Sequence, residues 1–318
     1  TKLAIIDNKV CIFCKELKTK LMYAVTKKRI CMKRSFIREI LESIDETTIS
    51  FAGGLPSEKL FPVEDIKTAT MKIFDNPKVF QYGVSNGIAE LREKIAARYT
   101  KEGFPTRKDN ILITTGSQQG MYILAKYFES KDITIEEPSY LGAMNIFRLN
   151  HLNMKGVKLE NNGVNIEKFN ESFKETKLAY LIPDFQNPSA RTYSDEKREQ
   201  IARIVSEEDG ILIEDSPYSE LFFDKKNTSI SVKIPKNSFH LGSFSKTLVP
   251  SLRIGWIRAD EKLLQSLMII KESIDLHSCG ISQYILNEYL KDEEKYEKHL
   301  QDIRDDYKKK ANFFCEQL

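Results

Sequence analysis

Cysteine is scarce in this chain, and its number is odd. The 318 residues contain five cysteines, Cys11, Cys14, Cys31, Cys279 and Cys315. A small extracellular scaffold that relies on disulfides needs a denser and even set. The composition excludes a disulfide framework and predicts a reducing, cytoplasmic location.

Metal ligands are also sparse around the single close pair of cysteines. Cys11 and Cys14 have the C-x-x-C spacing of half a zinc site. A structural zinc ion needs further ligands, but Cys31 is the sole candidate nearby and the first histidine is His151. We interpret these thiols as incidental and expect no metal site.

Long hydrophobic runs and a large excess of one charge are missing as well. No stretch approaches the roughly 18 consecutive apolar residues that a transmembrane helix needs. The net charge of +3 is too small to indicate a nucleic-acid partner. Hydrophobic residues make up 41% and charged residues 30%, as in ordinary globular domains. We expect neither a membrane nor a nucleic acid as partner.

Basic residues are concentrated at the N-terminus. Residues 1–34 contain ten Lys or Arg and two Asp or Glu. One interpretation is a basic arm that binds an acidic partner. We favour the other, in which residues 1–31 form a leader that is non-native or disordered, because "MKRSFIREIL" from Met32 is typical of a natural start.

Short apolar segments alternate with helical patterns from residue 110 onward. The predicted strands are 110–116, 132–138, 177–185, 210–218, 238–244 and 253–260. Apolar strands separated by helices favour a largely parallel sheet covered on both faces, and therefore an α/β fold. Ligands of such sheets bind beyond the carboxyl ends of the strands.

The first strand end has the features of an anion site. "TTGSQQG" (114–120) follows the strand and begins a helix, whose N-terminal N–H groups and dipole attract negative charge. Ser117 and Gln118 add hydrogen-bond donors. A plain helix cap is the alternative interpretation.

Three further strand ends carry side chains suited to a planar ligand. Tyr140 follows the second strand and either stacks on a ligand or packs in the core. Asn187 offers an amide. Asp215 follows an apolar strand and needs a cationic partner to stay ionised, unless it is a turn or cap residue. Tyr218 is three residues further on.

The segment "GSFSKTLVPSLRIGW" (242–256) adds an amine. Lys246 lies among Ser243, Ser245 and Arg253, which could bind a phosphate from the side opposite the first strand end. Together the strand ends offer a phosphate site, a stacking ring, an amide, a buried carboxylate and a lysine. Pyridoxal phosphate requires all five.

Two other nucleotide sites are excluded by their glycine patterns. A phosphate-binding loop needs G-x-x-x-x-G-K-[ST], but His240 and Ser245 stand where the two glycines belong. No G-x-G-x-x-G follows a predicted strand, which argues against a dinucleotide enzyme.

Seven segments occur in the order typical of one known family: "FAGGLP", "QYGVSNGIAELRE", "TTGSQQG", "EPSYLGA", "QNPSARTYS", "EDSPYSEL" and "GSFSKTLVPSLRIGW". From about Met32 to its end, the chain resembles the fold type I pyridoxal-phosphate aminotransferases. It is most similar to the branch that includes kynurenine/2-aminoadipate aminotransferases and the aminotransferase-like domains of GntR-type regulators. The resemblance implies a three-layer sandwich with a mostly parallel seven-stranded sheet.

The resemblance also implies the catalytic residues. Lys246 would bind the cofactor covalently and carry a proton between substrate and cofactor. Asp215 would hold the pyridine nitrogen. Tyr218, with Asn187, would bind the ring hydroxyl.

The other implied contacts lie around these residues. The phosphate ligands would be Ser117, Gln118, Ser243, Ser245 and Arg253. Tyr140 would stack on the ring, and Gly54 and Asn187 would lie beside the substrate. Tyr82 would reach the phosphate of a neighbouring subunit, which implies a homodimer.

The implied activity is transfer of an amino group from an amino acid to a 2-oxo acid by ping-pong chemistry. The alternatives are a cofactor- or effector-sensing domain of a GntR-type regulator and another pyridoxal-phosphate reaction such as β-lyase chemistry. Within the motifs, Ala190 stands where relatives usually have glycine.

The expected domain organisation has an incomplete C-terminus. We expect an N-terminal arm at 32–60, a large cofactor-binding domain at 61–290 and the start of a small domain at 291–318. Family members end this small domain with an arginine that binds the substrate carboxylate. That arginine is absent from the 318 residues, so we expect a fragment of a longer protein.

Overall fold

The computed structural model describes residues 54–317. The chain divides into two compact units, Thr1–Leu55 and Pro56–Leu318. The fold described below is that of the second unit. The predicted leader (1–31) and most of the predicted arm (32–60) lie outside the described residues, and the domain boundaries stay predictions.

Nine α-helices lie in the described part of the second unit. They are α1 (Val63–Phe74), α2 (Ala89–Lys101), α3 (Gly116–Tyr127), α4 (Leu141–Leu149), α5 (Ile166–Thr176), α6 (Asp195–Glu207), α7 (Glu261–Asp275), α8 (Gly280–Tyr289) and α9 (Glu293–Glu316). Several begin at side-chain caps. The Ser194 hydroxyl, for example, accepts a hydrogen bond from the Lys197 N–H at the start of α6.

Eight strands form one sheet. They are β1 (Ile111–Thr114), β2 (Asp132–Glu137), β3 (Asn153–Glu160), β4 (Gly163–Val164), β5 (Leu178–Leu181), β6 (Ile211–Asp215), β7 (Ser238–Ser243) and β8 (Gly255–Arg258). Their spatial order is β1-β8-β7-β6-β5-β2-β3-β4. The expected mostly parallel α/β sheet is confirmed, and the two-residue β4 makes eight strands instead of seven.

Strand β8 runs against its neighbours. It pairs antiparallel with β1 on one side and with β7 on the other, whereas β3, β2, β5, β6 and β7 pair in parallel. Because β8 is reversed on both sides, β1 points in the same direction as the parallel strands. The sequence patterns predicted the strand at 253–260 but not its direction.

The sheet separates layers of helices because successive side chains of a strand point to opposite faces. On β6, Ile213 packs in a cluster with Leu124 of α3, whereas the preceding Leu212 packs with Phe169 of α5 and Ile201 of α6. Each central strand is therefore buried on both faces, as the three-layer prediction requires.

Strand β3 and helix α5 are among the elements that were not predicted from the sequence. Strand β3 ("NMKGVKLE") buries only some of its residues, so it lacks a continuous apolar segment. Helix α5 buries two residues, Phe169 and Phe173, whose rings stack at 5.4 Å. Both elements are amphipathic because one side of each is exposed, so their apolar sequence patterns are weaker than those of the fully buried central strands.

A third core cluster lies under α2, α8 and α9. Tyr296 and Leu300 of α9 are buried together with Leu91 and Ile95 of α2 and Phe244, which follows β7. The first half of α9 thus contributes to the core that supports the end of β7.

Among the helices of residues 54–317, none is both long enough and apolar enough to cross a bilayer.

Replacing Phe239 tests how strongly the packing of β7 against Tyr127 and Phe128 stabilises the fold. Its side chain is fully buried and contacts the rings of Tyr127 and Phe128. We expect Phe239→Ala to lower the free energy of unfolding by about 3–5 kcal/mol, because truncation leaves a cavity in a packed core. Urea denaturation measures the change. Phe223→Ala is the control, since Phe223 is partly exposed, and an equal loss in both variants would contradict the expectation.

Candidate active site

The carboxyl ends of six strands lie at one end of the sheet. Strands β1, β2, β3, β5, β6 and β7 all finish there, and reversed β8 begins there. Gly255 at the start of β8 pairs with Thr114 on one side and with Ser243 on the other. The segments after these strands therefore come together although they are far apart in sequence.

Glycines allow α3 and Arg253 to approach closely. Gly116, the first residue of α3, has φ +71°, and a Cβ there would lie 2.4 Å from Nη2 of Arg253. A Cβ on Gly255 would lie 2.5 Å from the backbone nitrogen of Ser117. Side chains at these two positions would fill the space between the helix N-terminus and the arginine.

Ser243, the last residue of β7, and Ser245 just after it complete this arrangement. Arg253 donates from Nη1 to Oγ of Ser245 at 3.3 Å and from Nη2 to the carbonyl of Thr115 at 3.5 Å. The Ser245 N–H donates to Oγ of Ser243 at 3.1 Å. We name as the phosphate cradle the N-terminus of α3 (Gly116–Gln118) with Ser243, Ser245 and Arg253. Its helix dipole, hydroxyls and guanidinium suit an anion.

Asp215 is buried with one oxygen unsatisfied. It lies two residues after Ile213, which pairs with Tyr180 of β5, so the two side chains share a face of the sheet. The Tyr180 hydroxyl donates to Oδ2 of Asp215 at 2.7 Å. Oδ1 has no hydrogen-bond partner within the described part of the chain. Burial raises the pKa of Asp215 to about 6, although the Tyr180 hydrogen bond opposes the shift.

Asn187 and Tyr218 lie beside this carboxylate. Their side chains form a hydrogen bond, and burial followed by the charge of Asp215 raises the pKa of the Tyr218 phenol. Tyr140 begins α4 from the end of β2, and its ring occupies the space that a side chain on Gly142 would need. These three polar groups follow β5, β6 and β2.

Lys246 follows β7 on the same side as Tyr218. Its Nζ lies 5.9 Å from the centroid of the Tyr218 ring. Burial lowers the pKa of Lys246, because a low-dielectric site disfavours the ammonium form. A larger fraction of neutral amine makes the lysine a better nucleophile and base.

The residues present fit pyridoxal phosphate in two respects. The unsatisfied Oδ1 of Asp215 has the charge and burial needed to bind a protonated pyridine nitrogen. The phosphate cradle combines a helix N-terminus, two serine hydroxyls and a guanidinium, which Gly116 and Gly255 allow to approach one another because they lack side chains. In the described residues no group of His, Cys, Asp or Glu side chains has the arrangement of a metal site.

The sequence also assigns Tyr82 and Gly54 to the site. Tyr82 is 81% exposed and contacts the ring of His277 at 6.0 Å. Gly54 belongs to the first unit of the chain. Their assigned roles, like those of the other site residues, stay predictions.

One cavity borders the site without being part of it. Its volume is about 270 Å³, and it is lined by side chains that include Tyr99, His240 and Trp256. Among the predicted site residues it touches only Ser243. The predicted cofactor ligands therefore lie at the end of the sheet and not in this cavity.

Sequence reasoning missed the residues that support the ligands. Tyr180 was treated as part of an apolar strand. Glu136 on β2 accepts hydrogen bonds from the Tyr193 hydroxyl, the Gln186 amide and the Ile182 N–H. Burial raises the pKa of Glu136 to about 7. A polar side chain within an apolar strand is the sequence signal that indicates such residues, because a buried polar group needs a hydrogen-bond partner.

Replacing Asp215 tests the cost of burying its charge. The pKa rises from an ordinary 3.8 to about 6 in the folded protein. The folded state then binds more protons than the unfolded state between these values, so stability falls as pH rises through the interval. We expect Asp215→Asn, without cofactor, to be more stable than wild type by about 2 kcal/mol at about pH 8, and equally stable at about pH 4.

Urea denaturation at both pH values measures this difference. Asp224→Asn is the matched control, because the side chain of Asp224 is 86% exposed and should show no such pH dependence. A wild-type protein at least as stable as Asp215→Asn at the higher pH would contradict the expected penalty.

Comparisons with known proteins agree with this geometry. The aminotransferase class I and II family matches residues 49–318. Aromatic-amino-acid aminotransferase 1 of Thermococcus litoralis is 32% identical, over 92% of this chain and 74% of that protein. The transcriptional regulator NorG of Staphylococcus aureus is 31% identical, over 85% of this chain and 62% of that protein.

A solved structure shows the same fold with a cofactor. The crystal structure of Pyrococcus horikoshii kynurenine aminotransferase in complex with PMP superposes with a TM-score of 0.83 at 32% identity. The match covers 91% of this chain and 75% of that one. The chain described here belongs to the aminotransferase class I and II family and is a pyridoxal-phosphate-dependent aminotransferase.

Proposed function

We propose that Lys246, Asp215 and Tyr218 catalyse transfer of an amino group between an amino acid and a 2-oxo acid. The observation that carries this proposal is the buried Asp215 carboxylate with its unsatisfied Oδ1. An ionised carboxylate held in an apolar sheet without a second partner is costly, unless a cationic ligand binds it.

Asp215 has the task of keeping a positive charge on the ring nitrogen of the cofactor. Bound pyridoxal phosphate supplies an electron sink for the carbanion formed at the substrate Cα. The Tyr180 hydroxyl donates to Oδ2 and so leaves Oδ1 for the ring nitrogen. A pKa of about 6 keeps Asp215 mostly ionised at neutral pH even before the cofactor binds.

Lys246 has two tasks. Its Nζ would hold the cofactor before the substrate binds, and its neutral amine would accept the proton removed from the substrate Cα. The lowered pKa of Lys246 favours the neutral amine that both tasks need.

Asn187, Tyr218 and Tyr140 orient the ring. The hydrogen bond between Asn187 and Tyr218 places an amide and a phenol side by side for the ring hydroxyl. Tyr140 offers an aromatic face. The phosphate cradle would hold the phosphate end of the cofactor and so fix its position beside Lys246.

The overall reaction has two halves. In the first, an amino acid leaves its amino group on the enzyme and departs as an oxo acid. In the second, a 2-oxo acid takes up that group and departs as an amino acid. Gly54 and Asn187 are proposed to lie beside the substrate.

Lys246→Ala tests the assignment of the lysine. We expect the visible absorption band of the lysine-bound cofactor to disappear and the first half-reaction to slow by about 10³-fold, since a positioned acid–base group contributes that much. Lys225→Ala is the control, because Lys225 is exposed and pairs only loosely with Asp195 at 3.7 Å. An unchanged absorption band in Lys246→Ala would overturn the assignment.

We also propose that the protein is a homodimer in which Tyr82 reaches the cofactor phosphate of the partner. Exposed apolar side chains surround this tyrosine along the chain, and the rings of Phe74 and Phe80 contact each other at 5.5 Å. The exposed set is Val63, Met71, Phe74, Phe80, Tyr82 and Val84. Clustered exposed apolar groups of this kind support an interface with another protein surface.

Phe80→Glu tests the dimer. We expect sedimentation velocity to show a monomer, because a charge in an apolar interface is not compensated. Cofactor affinity should fall as well, since Tyr82 then has no partner site to reach. Leu149→Glu is the control, as Leu149 is exposed on α4 outside this set. A monomeric wild type would overturn the proposal.

The remaining alternatives receive less support. The similarity to NorG fits a regulator domain, but the similarity to relatives named as aminotransferases is no weaker and covers more of the chain. No observation favours β-lyase chemistry. We propose a cytoplasmic location, which the sparse cysteines support, and Cys279 and Cys315 are free thiols.

A further inference from the structure

Thr115, the residue before α3, is held by contacts from three directions. Its N–H donates to Oε1 of Gln119 at 2.8 Å, and its carbonyl accepts the bond from Arg253. Its hydroxyl lies 3.2 Å from Oδ2 of Asp275 and 3.2 Å from Oγ of Ser278. The position of the helix N-terminus therefore depends on groups outside the phosphate cradle.

Asp275, the last residue of α7, connects these contacts. Its Oδ2 also accepts a hydrogen bond from the Gln119 amide at 2.6 Å. Its Oδ1 accepts from Nζ of Lys271, one turn earlier on α7, at 2.6 Å. Both oxygens of the carboxylate are thus used, and two of its three side-chain partners are Thr115 and Gln119 of α3.

The Lys271–Asp275 pair differs from the surface ion pairs of this protein. The Lys271 side chain is fully buried, and that of Asp275 is 25% exposed. A buried cation is costly without a partner, so the pair is held firmly. An ion pair on the exposed surface would contribute little and would tolerate other geometries.

We propose that Asp275, held by Lys271, is a positioning residue for the cofactor phosphate, acting through Gln119 and Thr115. Asp275 does not contact the phosphate cradle itself. It holds the turn between β1 and α3, so the N–H groups of Gly116–Gln118 and the guanidinium of Arg253 face the same point. The inference rests on the proposed phosphate ligands and assigns this chain's α7 a role in cofactor affinity.

The phosphate can be tested separately from the ring. Apo-protein is titrated with pyridoxal 5′-phosphate and with pyridoxal, and both dissociation constants are measured by absorbance. We expect Gln119→Leu and Asp275→Asn to weaken pyridoxal 5′-phosphate binding by about tenfold, the size of one well-placed hydrogen bond. Pyridoxal binding should stay unchanged, because pyridoxal lacks the phosphate.

Two comparison variants make the result specific. Tyr180→Phe removes the support of Asp215 at the ring end and should weaken both ligands equally. Asp224→Asn breaks an ion pair with Lys308 far from α3 in sequence and should change neither. Gln119→Leu leaves the Lys271–Asp275 pair intact, so it reports on the turn even if Asp275→Asn does not fold.

Each outcome has a clear meaning. The proposal is supported if Gln119→Leu lowers the ratio of pyridoxal 5′-phosphate affinity to pyridoxal affinity. Suppose that the wild type binds pyridoxal 5′-phosphate more tightly than pyridoxal. If the variants keep that full difference in affinity, or lose affinity for both ligands equally, the positioning role alone is overturned. A wild type that binds both ligands equally would overturn the phosphate cradle and this inference with it.

Discussion

The reversed strand β8 is the constraint on which the site depends. Because it lies antiparallel between β1 and β7, Gly255 pairs with both Thr114 and Ser243. This pairing brings the segment before β8, with Arg253, to the N-terminus of α3 and to the serines at the end of β7. A side chain on Gly255 would collide with the backbone of Ser117, so the approach also requires glycine.

The second constraint is electrostatic. Within residues 54–317, Tyr180 is the one hydrogen-bond donor to the buried Asp215 carboxylate, and burial raises the pKa of Asp215 because the charge is stabilised incompletely. A binding site for a cation arises from this deficit. The protein loses stability at the position where the proposed cofactor contact would gain affinity, a common balance at functional sites.

Support for the two ends of the cofactor site comes from different elements. The ring end depends on neighbouring strands, since Tyr180 of β5 reaches Asp215 of β6. The phosphate end depends on α7, whose Asp275 contacts the turn before α3. Because the two supports share no residues, changes at one end should leave the other intact, and this separation explains how phosphate and ring contacts can be measured independently.

The sequence by itself determined the α/β class and the set of side chains that follow the strands. Those inferences depend on local patterns: apolar strands, the turn "TTGSQQG", and the spacing of Lys246 and Arg253 in one segment. The direction of β8, the amphipathic β3 and the partners of Asp215 and Thr115 were decided only in the tertiary structure. Tyr180 is 35 residues from Asp215 and Asp275 is 160 residues from Thr115, and no local pattern records contacts across such separations.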